Sequence, residues 1–395
     1  MPFLSRAKLS KQANEFYFPG WGLMRTIGVV IAILFTSSIQ AEAKLDWNPQ
    51  KTWVFIVGLL QWEHSEIYAS FPEAMKDRRD EQLVQFFKKS GVPESQITYL
   101  QDKQATKKRI EKEFVKLLDQ TDENDLLIFY FCGHGSRDRK SKETWFANYD
   151  AGDEDDSAWN VKQIFKTIEN HFSGSRALLL ADCCHSGALF DEAKRRADSD
   201  IAYAVITSSY SHNTSTGRWT FSDALLSGLR GEGIVDLNGD HIVDFQELAR
   251  FNELELAFLE GQKSMAHATD EFPRRAKISP SGGQLRPRVG LRLEVLYKGK
   301  WYKAKSIDAD GDQLKVHYAN YQDSWDEWVG PERVRPYQPA QFAQGDKVDV
   351  RWDRDGKWYH ATVRDAWYGL HLIKYDDDSS EDEWIGPQAI RLRQN

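Results

Sequence analysis

Five short apolar runs, separated by amphipathic stretches, constrain the fold of this chain more than any other feature. The runs predict strands at 53–60, 97–100, 126–132, 177–183 and 201–208. Continuous apolar runs of this length are typical of strands that are buried on both faces of a parallel sheet. The stretches between them predict helices at 80–89, 106–118 and 161–171. The sequence therefore predicts an α/β sandwich, with helices on both faces of a mostly parallel sheet.

Composition narrows the class of protein. The 395 residues suffice for two or more domains, and 41% hydrophobic with 28% charged residues is typical of globular chains. The net charge of −8 argues against a nucleic-acid partner, because phosphate binding depends on a basic surface. We therefore expect no nucleic-acid function.

The N-terminus carries the pattern of an export signal. An apolar run at 27–35 follows Arg25 and leads to an A-x-A site that ends at Ala43. Residues 1–43 are therefore predicted to be a signal peptide region, and a start at Met24 would give it an ordinary length. We expect an exported protein with no stable membrane insertion after cleavage. The alternative is an uncleaved N-terminal membrane anchor.

Reactive residues follow two of the predicted strands. One strand runs into C-G-H-G at 132–135 and another into D-C-C-H-S-G at 182–187. Sites in parallel sheets form beyond the carboxyl ends of strands, so His134 and Cys184 are expected side by side. An imidazole can take the proton of a thiol and return it to a leaving amine. We predict a catalytic dyad of Cys184 and His134, because no third residue that would orient the histidine is evident.

The sequence also predicts roles for the residues around the dyad. The glycines permit close substrate approach, so the amides of Gly135 and Cys184 are predicted to form an oxyanion hole. Cys183 is predicted to point into the sheet, and His185 to have no catalytic role. With Cys132, the chain has three cysteines, an odd number that favours reactive thiols over a disulfide set.

Both motifs resemble those of the caspase-like cysteine peptidases, most closely the metacaspase-type and bacterial members. The resemblance covers about half the chain, and we place this domain at residues 51–262. In that family the first motif is S-G-H-G, so Cys132 departs from the pattern at a position of the substrate pocket.

A carboxylate beside the nucleophile suggests the substrate. Asp182 can pair with Arg or Lys in a peptide, and the resemblance implies that the matching residue lines the primary pocket. It also implies help from an aspartate at the start of the first long helix, where the best match is Asp80. We therefore predict cleavage after Arg or Lys. The basic run at 194–196, within a polar stretch at 191–200, is either a self-cleavage site or a solvated charge run.

A 12-residue acidic stretch at 236–247 has the spacing of a calcium-binding EF-hand loop. The ligands that this pattern predicts are Asp236, Asn238, Asp240, Ile242 through its carbonyl, Asp244 and Glu247. His241 stands where a glycine normally permits the sharp turn. Calcium activation is common in the family that the chain resembles. The alternative is an acidic turn that caps a helix, and the dyad chemistry itself requires no cofactor.

The C-terminal region repeats one pattern. After a Pro- and Gly-rich predicted linker at 263–288, G-K-W-Y and D-E-W motifs recur with offsets of 57 and 56 residues. We predict two small β-barrels, at 289–338 and 341–395, which resemble Tudor-knot or chromo-barrel modules. In such modules aromatic side chains can hold a methylated amine. The candidate residues are Tyr297, Tyr318, Trp325, Trp328, Trp352, Tyr375 and Trp384, and the alternative is that these rings fill the barrel cores.

The leading hypothesis is an exported caspase-like endopeptidase that carries two β-barrels. One rival is a catalytically silent scaffold that acts through the barrels, with a peptide or a modified amine as ligand. Another is a hydrolase of a different kind, such as an amidase or a transpeptidase, that uses the same dyad.

Overall fold

The computed structural model describes residues 47–138, 140–153, 157–280, 288–339, 341–352, 355–377 and 380–393. The predicted signal peptide at 1–43, with the alternative start at Met24, lies outside the described residues. Within the described ranges, no helix is both long and apolar enough to cross a membrane.

The N-terminal domain alternates strands and helices as predicted. Its strands are β1 (Thr52–Gly58), β2 (Ile97–Gln101), β3 (Leu126–Cys132), β4 (Gly135–Arg137), β5 (Thr144–Phe146), β6 (Trp159–Asn160), β7 (Arg176–Asp182), β8 (Ala202–Thr207), β9 (Ile242–Asp244), β10 (Met265–Ala268) and β11 (Lys277–Pro280). Its α-helices are α1 (Arg79–Lys89), α2 (Lys107–Leu118), α3 (Val161–His171), α4 (Ala188–Lys194), α5 (Thr220–Leu229) and α6 (Phe245–Leu259).

The main sheet has six strands in the order β10-β8-β7-β3-β1-β2. All neighbouring pairs are parallel except β10 with β8. Side chains alternate between two buried layers, so that Phe129 lies in one hydrophobic core and Tyr130 in the other. Helices cover both layers, because each face of the sheet is apolar. The predicted α/β sandwich is confirmed.

Part of the predicted linker at 263–288 belongs to the sheets, which corrects the domain boundary. Strand β10 pairs with the edge of β8, and β11 pairs with β9. An exposed sheet edge offers unpaired backbone groups, and these strands satisfy them. The proline- and glycine-rich composition concealed both strands, and the α/β domain therefore extends to about residue 280.

Two antiparallel five-stranded barrels follow. Their strands are β12 (Arg292–Tyr297), β13 (Lys300–Asp310), β14 (Gln313–Tyr318), β15 (Glu327–Val329) and β16 (Val334–Pro336), then β17 (Lys347–Arg351), β18 (Trp358–Trp367), β19 (Leu370–Tyr375), β20 (Glu383–Ile385) and β21 (Ile390–Leu392). Both sheets have the same strand order, and both carry a bulge at the equivalent place, 306–308 and 363–365. The predicted pair of small β-barrels is confirmed; we call them barrel 1 and barrel 2.

Candidate active site

Strand register places the two reactive motifs next to each other. Gly58 on β1 is aligned with Cys132 on β3, which is aligned with Asp182 on β7. His134 and Cys184 each lie two residues beyond these aligned positions. Both side chains line one cavity of about 110 Å³ at the carboxyl edge of the sheet. The expected proximity of imidazole and thiol therefore follows from the alignment of two parallel strand ends.

The Cys184 thiol meets a backbone donor from a distant loop. The Ser215 N–H donates to Sγ over 3.2 Å, and the Ser215 carbonyl oxygen lies 3.8 Å from the same sulfur. Cys184 is half-buried, whereas Cys183 is buried in the core, as predicted. An N–H group aimed at sulfur stabilises negative charge on it. No side-chain pattern could indicate Ser215, because this contact uses only its backbone.

A strained turn carries the nucleophile. His185 adopts a left-handed φ of 58°, and its N–H donates to the Asn213 carbonyl over 2.9 Å. Its Nδ1 lies 3.0 Å from the Ser211 carbonyl oxygen, to which it can donate. At Gly187 a Cβ would lie 2.3 Å from the Ser211 nitrogen, so only glycine fits. His185 therefore holds the turn against the 211–213 loop.

His134 is oriented by a backbone carbonyl. Its Nε2 lies 2.8 Å from the Ala69 oxygen and must donate, because a carbonyl can only accept. The neutral ring then leaves Nδ1 without a proton, as a base requires. Trp62 and Phe71 pack on the imidazole with ring centroids at 4.5 and 4.7 Å. Burial lowers the pKa of His134, opposed by the bond to Ala69, so the neutral base is favoured at pH 7.

Gly135 makes the close approach that its position suggests. A Cβ at Gly135 would lie 2.0 Å from the Cys184 carbonyl oxygen, a distance that no side chain can occupy. This contact brings the backbone after His134 against the backbone of the nucleophile. The roles of the Gly135 and Cys184 amides as oxyanion donors stay predictions.

Asp182 lies deeper than predicted. The side chain is buried rather than placed at the cavity mouth, and Ser222 donates to its Oδ2 over 2.7 Å. Since the Ser222 proton is used, the Tyr130 hydroxyl at 2.7 Å must donate to Ser222. Burial raises the pKa of Asp182 to about 7, against the lowering effect of the serine bonds. The carboxyl does line the cavity and is poised between its neutral and charged forms.

Asp80 is held by contacts inside the α/β domain. Its carboxylate is fully buried and paired with Arg78 at 2.7 Å, and Tyr99 donates to it over 2.7 Å. Arg78 also binds Asp102 at 2.9 Å. Asp80 is not among the residues that line the cavity. One guanidinium is thus shared by Asp80 and Asp102, and a role of Asp80 in substrate binding stays a prediction.

Cys132 lies between the two aspartates, at the cavity wall. It is buried, and burial followed by the charge of Asp80 raises the pKa of its thiol well above the ordinary range. The thiol is therefore neutral, and it contributes size and polarisability to the pocket in place of a hydroxyl.

The basic run at 194–196 is less open than the predicted loop. Lys194 ends α4, and Arg196 is held by Glu192 at 2.6 Å and by Glu169. Its guanidinium also lies 4.6 Å from the centroid of Phe165. A peptidase needs an extended segment, so self-cleavage here would first require these contacts to break.

The acidic loop at 236–247 has the turn of a calcium loop. His241 takes the left-handed φ of 68° that a glycine would normally supply. Ligand atoms of Asp236, Asp240 and Glu247 all lie within 4.8 Å of one another. Asp244 caps α6 through the Glu247 N–H, at 2.9 Å.

Side-chain oxygens of this loop also accept hydrogen bonds from backbone amides. Asp236 accepts from the amides of Gly239, Asp240 and His241, and Glu247 accepts from those of Leu237 and Asn238. Asn238 accepts from the Asp240 amide, and Ile242 begins β9. The capped helix is present, and calcium binding by the loop stays a prediction.

The aromatic candidates of barrel 1 fall into two groups. Five rings meet at steep angles, with centroids about 6 Å apart: Tyr297, Tyr302, Tyr318, Tyr321 and Trp325. Tyr318 is buried at the base of this group, whereas Tyr321 and Trp325 are exposed. Trp328 lies apart, exposed on β15. Tyr302 and Tyr321 were not predicted. Tyr302 lies on β13 and Tyr321 in the turn after β14, and both rings lie beside Tyr318.

Barrel 2 contacts the 211–216 loop, which lies beside Cys184. Asn213 donates from Nδ2 to the Trp384 carbonyl and accepts from the Trp384 N–H, both over 2.9 Å. Glu381 binds Arg137 and Lys142. Both barrels belong to the same compact unit as the α/β domain. Of the other candidates in barrel 2, Tyr375 is buried in its core.

Sections of the α/β domain and of the C-terminal region match known protein families. Residues 82–193, which include His134 and Cys184, match the family described as the metacaspase, peptidase C14 domain. Residues 291–339 match the Agenet domain. The predicted resemblance to metacaspase-type peptidases, followed by a Tudor-like module, is therefore confirmed.

One curated relative is Metacaspase-4 of Arabidopsis thaliana, which is 27% identical over 169 residues. The match covers 38% of this chain and 38% of that protein, so the chain spans well under half the length of this relative.

Solved structures also overlay on parts of the chain. The protein GSU0716 from Geobacter sulfurreducens gives a TM-score of 0.43 at 13% identity and covers 58% of this chain and 99% of its own. The Drosophila initiator caspase Dronc gives 0.37 at 9%, covering 60% and 86%. The tandem Agenet domain 3-4 of ADCP1 gives 0.13 at 26%, covering 27% and 80%.

Proposed function

We propose that this chain is a cysteine endopeptidase in which Cys184 is the nucleophile and His134 the base. The observation that carries the proposal is the shared cavity at the two strand ends. There the imidazole is oriented by the Ala69 carbonyl, and the sulfur receives the Ser215 N–H.

The reaction follows from these contacts. His134 Nδ1 takes the thiol proton, and the thiolate attacks the peptide carbonyl carbon to form a C–S bond. The carbonyl oxygen becomes an oxyanion, which the amides of Cys184 and Gly135 would stabilise. His134 then returns the proton to the leaving amine as the C–N bond breaks. Water, deprotonated by His134, releases the acyl group and regenerates the thiol.

We propose that the enzyme cleaves after Arg or Lys. Asp182 lines the cavity and is poised to ionise, so a substrate cation would favour its charged form. An Arg side chain that entered the cavity would replace solvation lost by burial with a direct ion pair. We assign the ion pair with the substrate to Asp182 rather than to Asp80, because Asp80 is buried against Arg78 and does not line the cavity.

A peptide-library digest tests the mechanism and the specificity together. We expect the wild-type chain to cleave after Arg and Lys, and Cys184→Ala to leave the library intact. Cleavage that persists in the variant would refute the nucleophile, and a preference for Asp would refute the specificity. Addition of an amine acceptor distinguishes a transpeptidase, since acyl transfer to the amine would then replace hydrolysis.

We propose that the 236–247 loop binds calcium and stimulates the peptidase. The clustering of Asp236, Asp240 and Glu247 supports this proposal, as does the completed left-handed turn at His241. Asp240→Asn should weaken calcium binding measured by calorimetry, while Asp270→Asn, at an exposed site, should not. No heat at about millimolar calcium would contradict the proposal.

A second candidate function, ligand binding by barrel 1, is favoured by its five-ring group. Steeply inclined rings with two exposed members present π faces to a cation. Glu327 accepts from Tyr318 and is itself paired with Arg333. We expect a peptide that bears trimethyl-lysine to bind more tightly than its unmodified form, and Trp325→Ala to remove the difference. Binding without any peptidase activity would favour the scaffold hypothesis.

Localisation remains a proposal that rests on the N-terminal residues. We propose export, with a membrane anchor as the alternative, and cell fractionation with N-terminal sequencing of the mature chain distinguishes them.

A further inference from the structure

A second cavity lies between barrel 2 and the α/β domain. Its volume is about 580 Å³, and its walls come from the 212–216 loop on one side and from barrel 2 on the other. Ser215 and Thr216 line both this cavity and the catalytic cavity. The two cavities therefore share a wall at the residue whose N–H contacts the Cys184 sulfur.

The barrel side of this cavity is an aromatic face. Trp352, Tyr359 and Tyr375 line it together with Glu383, and the Trp352 and Tyr359 rings lie 5.7 Å apart at 90°. The equivalent strand positions in barrel 1 are Tyr297, Tyr302, Tyr318 and Glu327. Barrel 1 thus shows the same set of side chains beside exposed rings, whereas barrel 2 directs its set towards the peptidase.

Specific contacts hold the face in this orientation. The two hydrogen bonds between Asn213 and the Trp384 backbone fix barrel 2 to the loop beside Cys184. His212 Nδ1 lies 2.9 Å from the Asp382 carbonyl oxygen, and Arg137 pairs with Glu381. These contacts surround the cavity without filling it.

The charge of the lining suits a cation. Its lining has four carboxylates, from Glu260, Asp377, Glu381 and Glu383, against the three cations of Arg137, Lys263 and Arg351. Glu381 is compensated by Arg137 and Lys142. Two of the basic residues that line it are already paired, Arg137 with Glu381 and Lys263 with Glu253 at 2.7 Å. Lys263 also lies over the Trp384 ring at 5.8 Å, which shows that a primary amine is accommodated beside this aromatic surface.

We propose that this cavity is an extended substrate subsite of the peptidase. A peptide held at Cys184 continues past Ser215 and Thr216 and places a second basic side chain on the aromatic face of Trp352 and Tyr359. The inference rests on the proposed peptidase function. The preferred substrates are then peptides with two separated basic residues, one at the scissile bond and one at the barrel.

Matched peptides test this subsite in the full chain. A short Arg peptide that fills only the catalytic cavity is compared with versions extended residue by residue on either side, each with Lys or Ser at the added positions. We expect one Lys position to raise kcat/KM over its Ser counterpart by about tenfold, through KM, as a cation–π contact would.

Trp352→Ala should abolish this Lys advantage. Trp358→Ala is the control, because Trp358 is an exposed tryptophan of the same barrel that does not line the cavity and is covered by Arg391 at 4.0 Å. An advantage that survives Trp352→Ala, or that Trp358→Ala removes equally, would overturn the subsite. So would the absence of any Lys advantage in the wild type.

Binding to Cys184→Ala separates this proposal from the proposed reaction. Calorimetry with the uncleaved long peptides should show the same Lys preference, lost in the double variant with Trp352→Ala. If no peptide is cleaved by the wild type but this preference persists, the reaction is wrong and the subsite stands. If cleavage occurs without the preference, the subsite is wrong.

Discussion

The buried carboxyl of Asp182 makes a quantitative prediction about stability and specificity. The change is Asp182→Asn, which keeps the shape and an acceptor for the Ser222 hydroxyl but removes the ionisable group. Burial raises the pKa from its ordinary 3.8 to about 7, so the folded chain holds this proton more tightly than the unfolded chain. The contribution of Asp182 to the free energy of unfolding is therefore fully present below pH 3.8, and it is lost as the pH rises towards 7.

The size of this effect follows from the pKa. A rise from 3.8 to about 7 corresponds to roughly 4 kcal/mol, at about 1.4 kcal/mol for each pKa unit. The wild type bears this cost once the carboxyl ionises, whereas Asp182→Asn never does. The free energy of unfolding of the variant should therefore gain on that of the wild type by up to roughly 4 kcal/mol between acid and neutral pH.

Urea unfolding across this pH range measures the difference. The control is Asp198→Asn, an exposed aspartate outside the cavity, which should follow the wild type at every pH. A difference between Asp182→Asn and wild type that stays constant with pH would refute the inference that burial governs this carboxyl.

Activity supplies a second readout for the same change. Loss of a buried ion pair costs roughly 3–5 kcal/mol, so kcat/KM for Arg peptides should fall by at least about a hundredfold. In the wild type, binding of Arg peptides should strengthen as the pH rises through about 7, because Asp182 then ionises. Unchanged Arg selectivity in the variant would show that another group binds the cation.

Iodoacetamide should modify Cys184 far faster than Cys132, because burial keeps the other thiols neutral; peptide mapping that finds equal rates would contradict this. Gly135→Ala should lower kcat by about a hundredfold or more, since its Cβ cannot fit against the Cys184 carbonyl. Gly152→Ala should not, because the nearest described atom to a Cβ there, Ser157 Oγ, lies 4.0 Å away. His241→Gly should stabilise the chain by roughly 0.5–1 kcal/mol and tighten calcium binding, because the left-handed φ of 68° suits glycine; a lower unfolding temperature would oppose this.

Much of the fold was predictable because the sheet is buried on both faces. The apolar runs marked β1, β3 and β7 to within two residues, and the reactive side chains follow those strands directly. Helix periodicity marked α1, α2 and α3 equally well. Strands β10 and β11 escaped prediction because short edge strands in a proline- and glycine-rich segment have no distinctive pattern.

The parts of the site that were missed depend on backbone groups and on long-range pairing. The Ala69 carbonyl and the Ser215 N–H exist at every residue, so no side-chain pattern could mark them. The burial of Asp80 could not be predicted, because it depends on Arg78, two residues earlier, turning inward to pair with it. A helix start carries an aspartate for several reasons, and only the tertiary contacts distinguish them.

The contacts of Asn213 have a mechanical consequence. Its side chain exchanges two hydrogen bonds with the Trp384 backbone, while its own carbonyl accepts from the His185 N–H beside the nucleophile. Barrel 2 therefore cannot move away from the α/β domain without disturbing Asn213, whose carbonyl holds the strained turn at His185. Movement of barrel 2 would thus reach the turn beside Cys184 through Asn213, alongside the contacts that His212 and Arg137 make with the same barrel.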